Sequence, residues 1–240
     1  MYLIKRLFFH IKNGSFFSAF KNLFNKLSKS IRGIPIGNSY TGQKALIYDD
    51  HRKNDPYWIA EDNCINEYIS IISDEIDSVI DAPYGTGRFA PIYDKHNLNV
   101  VAIDLSSEML EIAKVKHKKH LKRTSFLTQD MAKIPFDDSS FDLVVCFRFI
   151  PWIISFKNAK IALAELSRTC RKYAVIELCV GKHKALNNNI NEDNTLWDNY
   201  NKEELTAWLK DYNFEVIDVK FLYDDKEHPG LSAFFCKKIN

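Results

Sequence analysis

The stretch Val79-Ile80-Asp81-Ala82-Pro83-Tyr84-Gly85-Thr86-Gly87-Arg88 constrains this chain more than any other: an apolar strand runs straight into a glycine-rich loop. Glycines there let a ligand approach the backbone, and the helix that follows presents N–H groups with no partner inside the helix. Taken alone, the Gly-x-Gly-x-x-Ala spacing is shared with nicotinamide-cofactor proteins. The surrounding pattern narrows it.

From about residue 45 the 240-residue chain alternates helical and strand patterns without repeats or low-complexity stretches, as α/β domains do. The spacing predicts helix over about 56–72, strands over 78–82 and 100–103, helix over 107–119, and strands over 125–127 and 143–147. A helix near 159–169 and a strand over 173–178 follow. After an Asn-rich stretch, a helix near 202–212 leads to strands over 215–223 and 232–237. Asp104 ends the second strand, where a carboxylate can accept hydrogen bonds from both hydroxyls of a ribose. Asp130 ends the third. Together Asp81, Asp104 and Asp130 would line one crevice at the carboxyl ends of an open parallel sheet.

With these elements in this order, residues 45–238 resemble the class I methyltransferases that use S-adenosylmethionine. The loop looks like the variant of that family's first motif reading Asp-x-Pro-Cys-Gly-Thr-Gly-Arg, with Tyr84 in the Cys position and Pro83 in place of the commoner first glycine. The resemblance implies a Rossmann-like α/β fold: an open, mostly parallel seven-stranded sheet with helices on both faces and an antiparallel last strand. It also implies S-adenosylmethionine as cofactor and S-adenosylhomocysteine as product. By position it puts Asp81, Pro83, Tyr84, Gly85, Thr86, Gly87 and Arg88 beside the methionine part and Asp104 on the ribose. Leu105 and Met109 would lie against the adenine, although core packing explains Met109 equally well. Asp130 would bind the adenine amino group, the Met131 N–H a ring nitrogen, and Phe147 completes the cofactor set. Upstream, Tyr48-Asp49-Asp50-His51-Arg52 and Asp55-Pro56-Tyr57-Trp58 would fold over the pocket as a lid. Arg52 would pair with the cofactor carboxylate, or form a surface ion pair.

Methyl transfer from a sulfonium is an in-line displacement that needs orientation and, for a hydroxyl acceptor, loss of a proton. After the fourth strand the chain reads Phe147-Arg148-Phe149-Ile150-Pro151-Trp152, which offers no obvious general base. His51, Glu177 and His183 are the candidate bases, although residues at such sites are more often structural or exposed. Tyr57, Trp58, Arg148 and Trp152 are the candidate acceptor-binding residues; Arg148 would grip a phosphate or carboxylate, or simply pair with an acid. Aromatic residues near the pocket mouth, Trp197 among them, suggest a ring-shaped or amphipathic acceptor. The expected reaction is O-methylation of a saccharide, for example on a lipid-linked or surface glycan, or of a similar small molecule. A quinone or lipid methyltransferase and a non-catalytic methyltransferase-like binding module are the alternatives. No metal is implied. An adenine N-methylase of nucleic acid would want an Asn/Asp-Pro-Pro-Tyr loop after the fourth strand. A short-chain dehydrogenase would want Tyr-x-x-x-Lys after the glycine loop, whereas that spacing, Tyr40 to Lys44, precedes it.

The formal charge of +2 divides unevenly. Residues 1–48 carry eight Lys or Arg and no acid, while the remainder is acidic, which argues against a body that binds nucleic acid. Residues 1–44 read as a basic helical arm and linker and 45–240 as the methyltransferase domain. The apolar face of 1–33 either packs on the body or lies on an anionic membrane. Without a spanning apolar run or the unbroken core of a signal peptide, the expected location is cytoplasmic, with peripheral attachment to the inner membrane face as the open variant. Five scattered cysteines read as reduced, mostly buried thiols.

Overall fold

The computed structural model describes residues 40–153, 155–181, 200–224 and 230–239. The arm 1–33, His183 and Trp197 lie outside the described residues. In chain order the elements are α1 (Gln43–Leu46), α2 (Pro56–Ile72), β1 (Ser78–Asp81), α3 (Ala90–Lys95), β2 (Asn99–Asp104), α4 (Ser107–Lys116) and β3 (Thr124–Thr128). There follow β4 (Phe141–Cys146), α5 (Ile150–Ile153), α6 (Phe156–Thr169), β5 (Cys170–Cys179), α7 (Lys202–Asp211), β6 (Phe214–Tyr223) and β7 (Leu231–Lys238).

The seven strands form one sheet in the order β3-β2-β1-β4-β5-β7-β6. The first five run parallel, and β7 inserts antiparallel between β5 and β6. Every residue of β4 is buried, which is why Phe141 to Cys146 is so apolar: a central parallel strand has helices over both faces. The chain winds outward from β1 through β2 to β3, then returns to lay β4 on the other side of β1. This reversal opens a crevice at the carboxyl ends of β1 and β4, the place where open α/β sheets take ligands. Asp81 pairs with Ala102 and Val145, so the strand ends are level there.

Local chemistry sets the helix ends. Pro56 occupies the first turn of α2, where its missing N–H costs nothing. The buried stripe of α2 (Tyr57, Glu61, Cys64, Ile65, Tyr68, Ile69, Ile72) follows helical spacing. Ser106 caps α4 through Met109 N, and Asn201 forms a capping box with Glu204 on α7. Residues 40–44, which composition assigns to the linker, pack on this body: the Ser106 hydroxyl donates to Tyr40 O and the Gly42 N–H to Glu108. All five cysteines are buried, and no disulfide joins them. Among the described residues, no helix is long and apolar enough to cross a membrane.

Candidate active site

The glycine loop is hooked to the strands beside it: Ala82 N donates to Val145 O at 3.0 Å and Tyr84 N to Ile103 O at 2.7 Å. Gly85 and Gly87 take left-handed φ values of +59° and +76°. At Gly87 a methyl group would also collide, with Tyr84 Cε1 at 2.7 Å and Ala113 Cβ at 3.0 Å. At Gly85 it would meet only Met109 Cε at 3.7 Å, so the loop is open on that side.

Asp104 is the anchored acid of the site. Its Oδ2 accepts the Gly85 N–H and its Oδ1 the Ser106 N–H, both at 2.8 Å. Burial pushes its carboxyl up, while the backbone N–H groups of Ser106, Gly85 and Leu105 pull it down. A carboxylate has about four acceptor sites, so capacity for the hydroxyls of a ribose remains. Asp81 is buried more deeply; burial raises its carboxyl to about 7, against the opposing pull of the Tyr93 hydroxyl, which donates to it at 2.9 Å, and of Arg88.

A cleft runs between the loop and the ends of β1, β2 and β4. Asp81, Pro83, Tyr84, Gly85, Thr86, Arg88, Asp104, Leu105, Met109, Met131 and Phe147 all line it. Three residues of the sequence-derived cofactor set do not. Gly87 packs beneath Tyr84 instead. Asp130 is buried, its Oδ1 accepts Ala132 N at 2.9 Å, and Gln129 takes a place on the wall. Arg52 lines a second cavity, its Nη1 donating to Tyr48 O at 3.2 Å and its guanidinium lying 4.1 Å above the Tyr48 ring. Arg88 is held by Glu61, Asp62 and Trp58 O and lies 4.7 Å above the Trp58 ring, tying α2 to the loop.

Residues 40–55 form a strap over the cleft. Thr86 Oγ1 donates to Asp49 Oδ1 at 2.6 Å, and Lys116 pairs with the other oxygen of Asp49. Tyr40 and Tyr48 close the wall, leaving about 70 Å³, room for a few water molecules. A ligand of nucleoside size therefore enters only when the strap moves.

Beyond the strap lies a cavity of about 510 Å³, which His51, Arg52, Tyr57 and Arg148 help to line. Tyr40, Tyr48 and Arg148 line both spaces. Trp58 lines neither, being covered by Arg88; Trp152 falls in α5, with its side chain outside the described residues.

Behind Arg148 sits a buried acid pair that joins Glu177, a candidate base, to Glu61, which the sequence reading missed. Glu61 and Glu177 are both fully buried. The Arg148 N–H donates to Glu177 Oε2 at 2.6 Å, and Arg148 Nη1 lies 3.6 Å from Glu61 Oε1. Burial and the adjacent Glu61 push the Glu177 carboxyl well above the usual carboxylate range. Glu177 lines neither space, and through the Arg148 N–H it positions Arg148. Of the two candidate bases among the described residues, His51 and Glu177, only His51 stands on a cavity wall.

Comparison with known proteins accords with this geometry. Residues 80–176 match the methyltransferase domain family. A malonyl-[acyl-carrier protein] O-methyltransferase of Pectobacterium atrosepticum is 35% identical over 98 residues, 41% of this chain and 36% of that protein. A demethylmenaquinone methyltransferase of Thermotoga maritima is 33% identical over 99 residues, 40% of each. The chain thus spans about 36 to 40% of the length of these curated relatives. Among solved structures, a Burkholderia thailandensis 1,6-didemethyltoxoflavin-N1-methyltransferase with bound 1,6-didemethyltoxoflavin and S-adenosylhomocysteine has the same fold. Its TM-score is 0.61 at 16% identity, over 86% of this chain and 94% of that one.

Proposed function

We propose that this chain, which carries a class I S-adenosylmethionine-dependent methyltransferase domain, transfers a methyl group to a small-molecule acceptor held in the 510 Å³ cavity. The observation that carries the reading is Asp104, fixed by two backbone N–H groups at the end of β2, beside the point where the sheet reverses. The residues present fit the cofactor: an open cradle at Gly85, an anchored acid for a ribose, and Leu105, Met109 and Met131 as an apolar wall for a base. The buried Tyr84 hydroxyl, without a hydrogen-bond partner among the described residues, adds a polar atom at the same loop. The bound cofactor supplies an activated methyl on a positively charged sulfonium.

What the chain's own residues contribute is orientation and exclusion of water. Tyr48 and Arg148, shared by the two spaces, fix where an acceptor meets the cleft. His51 is the base within reach of the cavity for an acceptor that must lose a proton. The rings of Tyr40, Tyr48, Tyr57 and Tyr223 around the cavity support a ring-shaped acceptor. Saccharide O-methylation and quinone or lipid methylation are two finer forms of that reading; the relatives' names add an acyl-carrier-linked malonyl group. A cytoplasmic place of action, with peripheral attachment to an anionic membrane as its open variant, belongs to the same proposal.

Titration calorimetry with S-adenosylhomocysteine tests the core of it. Saturable binding that S-adenosylmethionine displaces is expected; no binding leaves the non-catalytic module. Methyl-labelled cofactor incubated with glycan and lipid extracts, read by mass spectrometry, then identifies the acceptor class. Label found only in RNA or protein overturns the small-molecule reading.

A further inference from the structure

We propose that the 510 Å³ cavity selects an acceptor bearing a carboxylate or phosphate, gripped by Arg148 at the border with the cofactor cleft and by Arg52 and Lys44 from the strap. This rests on the methyl-transfer reading and names the acceptor chemistry of that site.

Charge is the first support. Lys44, Arg52 and Arg148 line the cavity against one carboxylate, Asp55, which already accepts the Tyr57 hydroxyl. The second is that the arginines are pre-positioned. Arg148 lies 4.4 Å above the Tyr57 ring, with its backbone held by Glu177 and its Nη1 beside Glu61. Arg52 repeats the construction 4.1 Å above Tyr48. A guanidinium pinned on an aromatic face loses little freedom on binding and still presents a planar fork suited to carboxylate or phosphate. Glu61 does not take this role over, because it is shared with Arg88 and stands 3.6 Å from Arg148 Nη1, and Glu177 receives the Arg148 backbone N–H.

Location is the third support. Arg148 lines both spaces, so a group it grips lies at the edge of the cleft. A cationic wall beside a site for a cationic sulfonium is repulsive until an anion sits between them. An anionic acceptor completes that charge pattern, and a neutral one does not.

Ligand-observed NMR on the full chain saturated with S-adenosylhomocysteine tests the proposal, with benzoate and phenyl phosphate as anionic probes and benzamide and phenol as neutral counterparts. At least one anion should bind about tenfold or more tightly than its neutral counterpart, and whichever does identifies the carboxylate or phosphate source. Arg52→Gln and Lys44→Gln should each weaken the anion several-fold and leave the neutral probe unchanged, and Arg148→Lys should remove most of the preference. Thermal unfolding reports whether Arg148→Lys folds, and the strap variants keep the test available if it does not. Equal binding of charged and neutral probes, or strap variants that leave the ratio unchanged, overturns the proposal. So does anion binding that vanishes when S-adenosylhomocysteine is bound, since the cations would then serve the cofactor's own carboxylate. Loss of S-adenosylhomocysteine binding in the unaltered chain strikes the methyl-transfer reading and this one with it. Binding of S-adenosylhomocysteine without anion preference sinks this one alone.

Discussion

The cleft and the cavity beside it are built in opposite ways. The cleft is made of backbone at strand ends: Asp104, Gly85 and Ser106 are placed by β2 and by the loop after β1, and their hydrogen bonds run main chain to side chain. The cavity is made of long side chains from segments far apart in sequence, with Lys44, Arg52 and Tyr57 from before the sheet and Arg148 and Tyr223 from its later strands and loops. A site built on the sheet inherits its rigidity, and a site closed by a strap inherits the strap's freedom. The cleft should therefore respond to mutation in affinity and stability, and the strap in rates.

The largest expected effect is on the cleft. Asp104→Ala removes the anchored acceptor and leaves the Gly85 and Ser106 N–H groups without their partner, which should weaken S-adenosylhomocysteine by about a hundredfold or more. Affinity within threefold of the original in calorimetry would remove Asp104 from the site. Gly87→Ala comes next. It forces a side chain into φ +76° and onto Tyr84 and Ala113, at a cost of about 2 kcal/mol and a fall in Tm of roughly 4 to 8 °C. An unchanged Tm would show that the loop yields more easily than its packing implies.

This contrast also governs what could be read in advance. The strands and the helices of ten residues or more between 56 and 238 follow from apolar runs and 3.6-residue periodicity, and differ from the sequence expectation by up to three residues at their ends. The four-residue α1 and α5 are too short to show a period. Asp104 is legible because a strand fixes its direction. Asp130 lies beyond the end of β3, where alternation no longer aims a side chain, and it turns back to cap Ala132 N. The Tyr40 contact to Ser106 spans 66 residues, with no pattern to announce it. Glu61 did carry a visible mark, a charge set four residues from Tyr57 and from Ile65 within an apolar stripe. Acids in such stripes are almost never buried without partners, and here the partners are Arg88 and Arg148.

A control at the other end of the sheet sharpens the comparison. Asp142, near the start of β4, is as buried as the acids of the cleft and accepts Asp77 N at 3.0 Å and two nitrogens of Arg171 at 2.8 and 2.9 Å. Burial pushes its carboxyl up, but the Asp77 and Ser78 N–H groups, Arg171 and Lys172 pull it down to about 2. A folded pKa below the unfolded one stabilises the protein above pH of about 4, and that stability is lost as pH falls toward 2. Allowing for the half-exposed Arg171 and Lys172, it amounts to about 1 to 2 kcal/mol. Asp142→Asn should lower stability by that amount at neutral pH, flatten the acid limb of the unfolding curve, and leave S-adenosylhomocysteine affinity unchanged. A parallel loss of affinity would mean that the two ends of the sheet are coupled.

The smallest effect should fall on the strap, and it should be kinetic. Asp49 joins the strap to the loop through Thr86 and to α4 through Lys116, both partly exposed contacts of modest strength. Asp49→Ala should change S-adenosylhomocysteine affinity by less than about 1 kcal/mol. Because the closed strap leaves only about 70 Å³, opening has to precede entry, and weakening the latch raises the population that can admit a ligand. Association and dissociation rates measured by stopped flow should therefore both rise, by comparable factors of a few, so that their ratio moves little. Rates that stay fixed would mean that the latch does not gate the cleft; a large loss of affinity would mean that the strap is part of the binding surface itself and that the division drawn between sheet-built cleft and strap-built cavity fails.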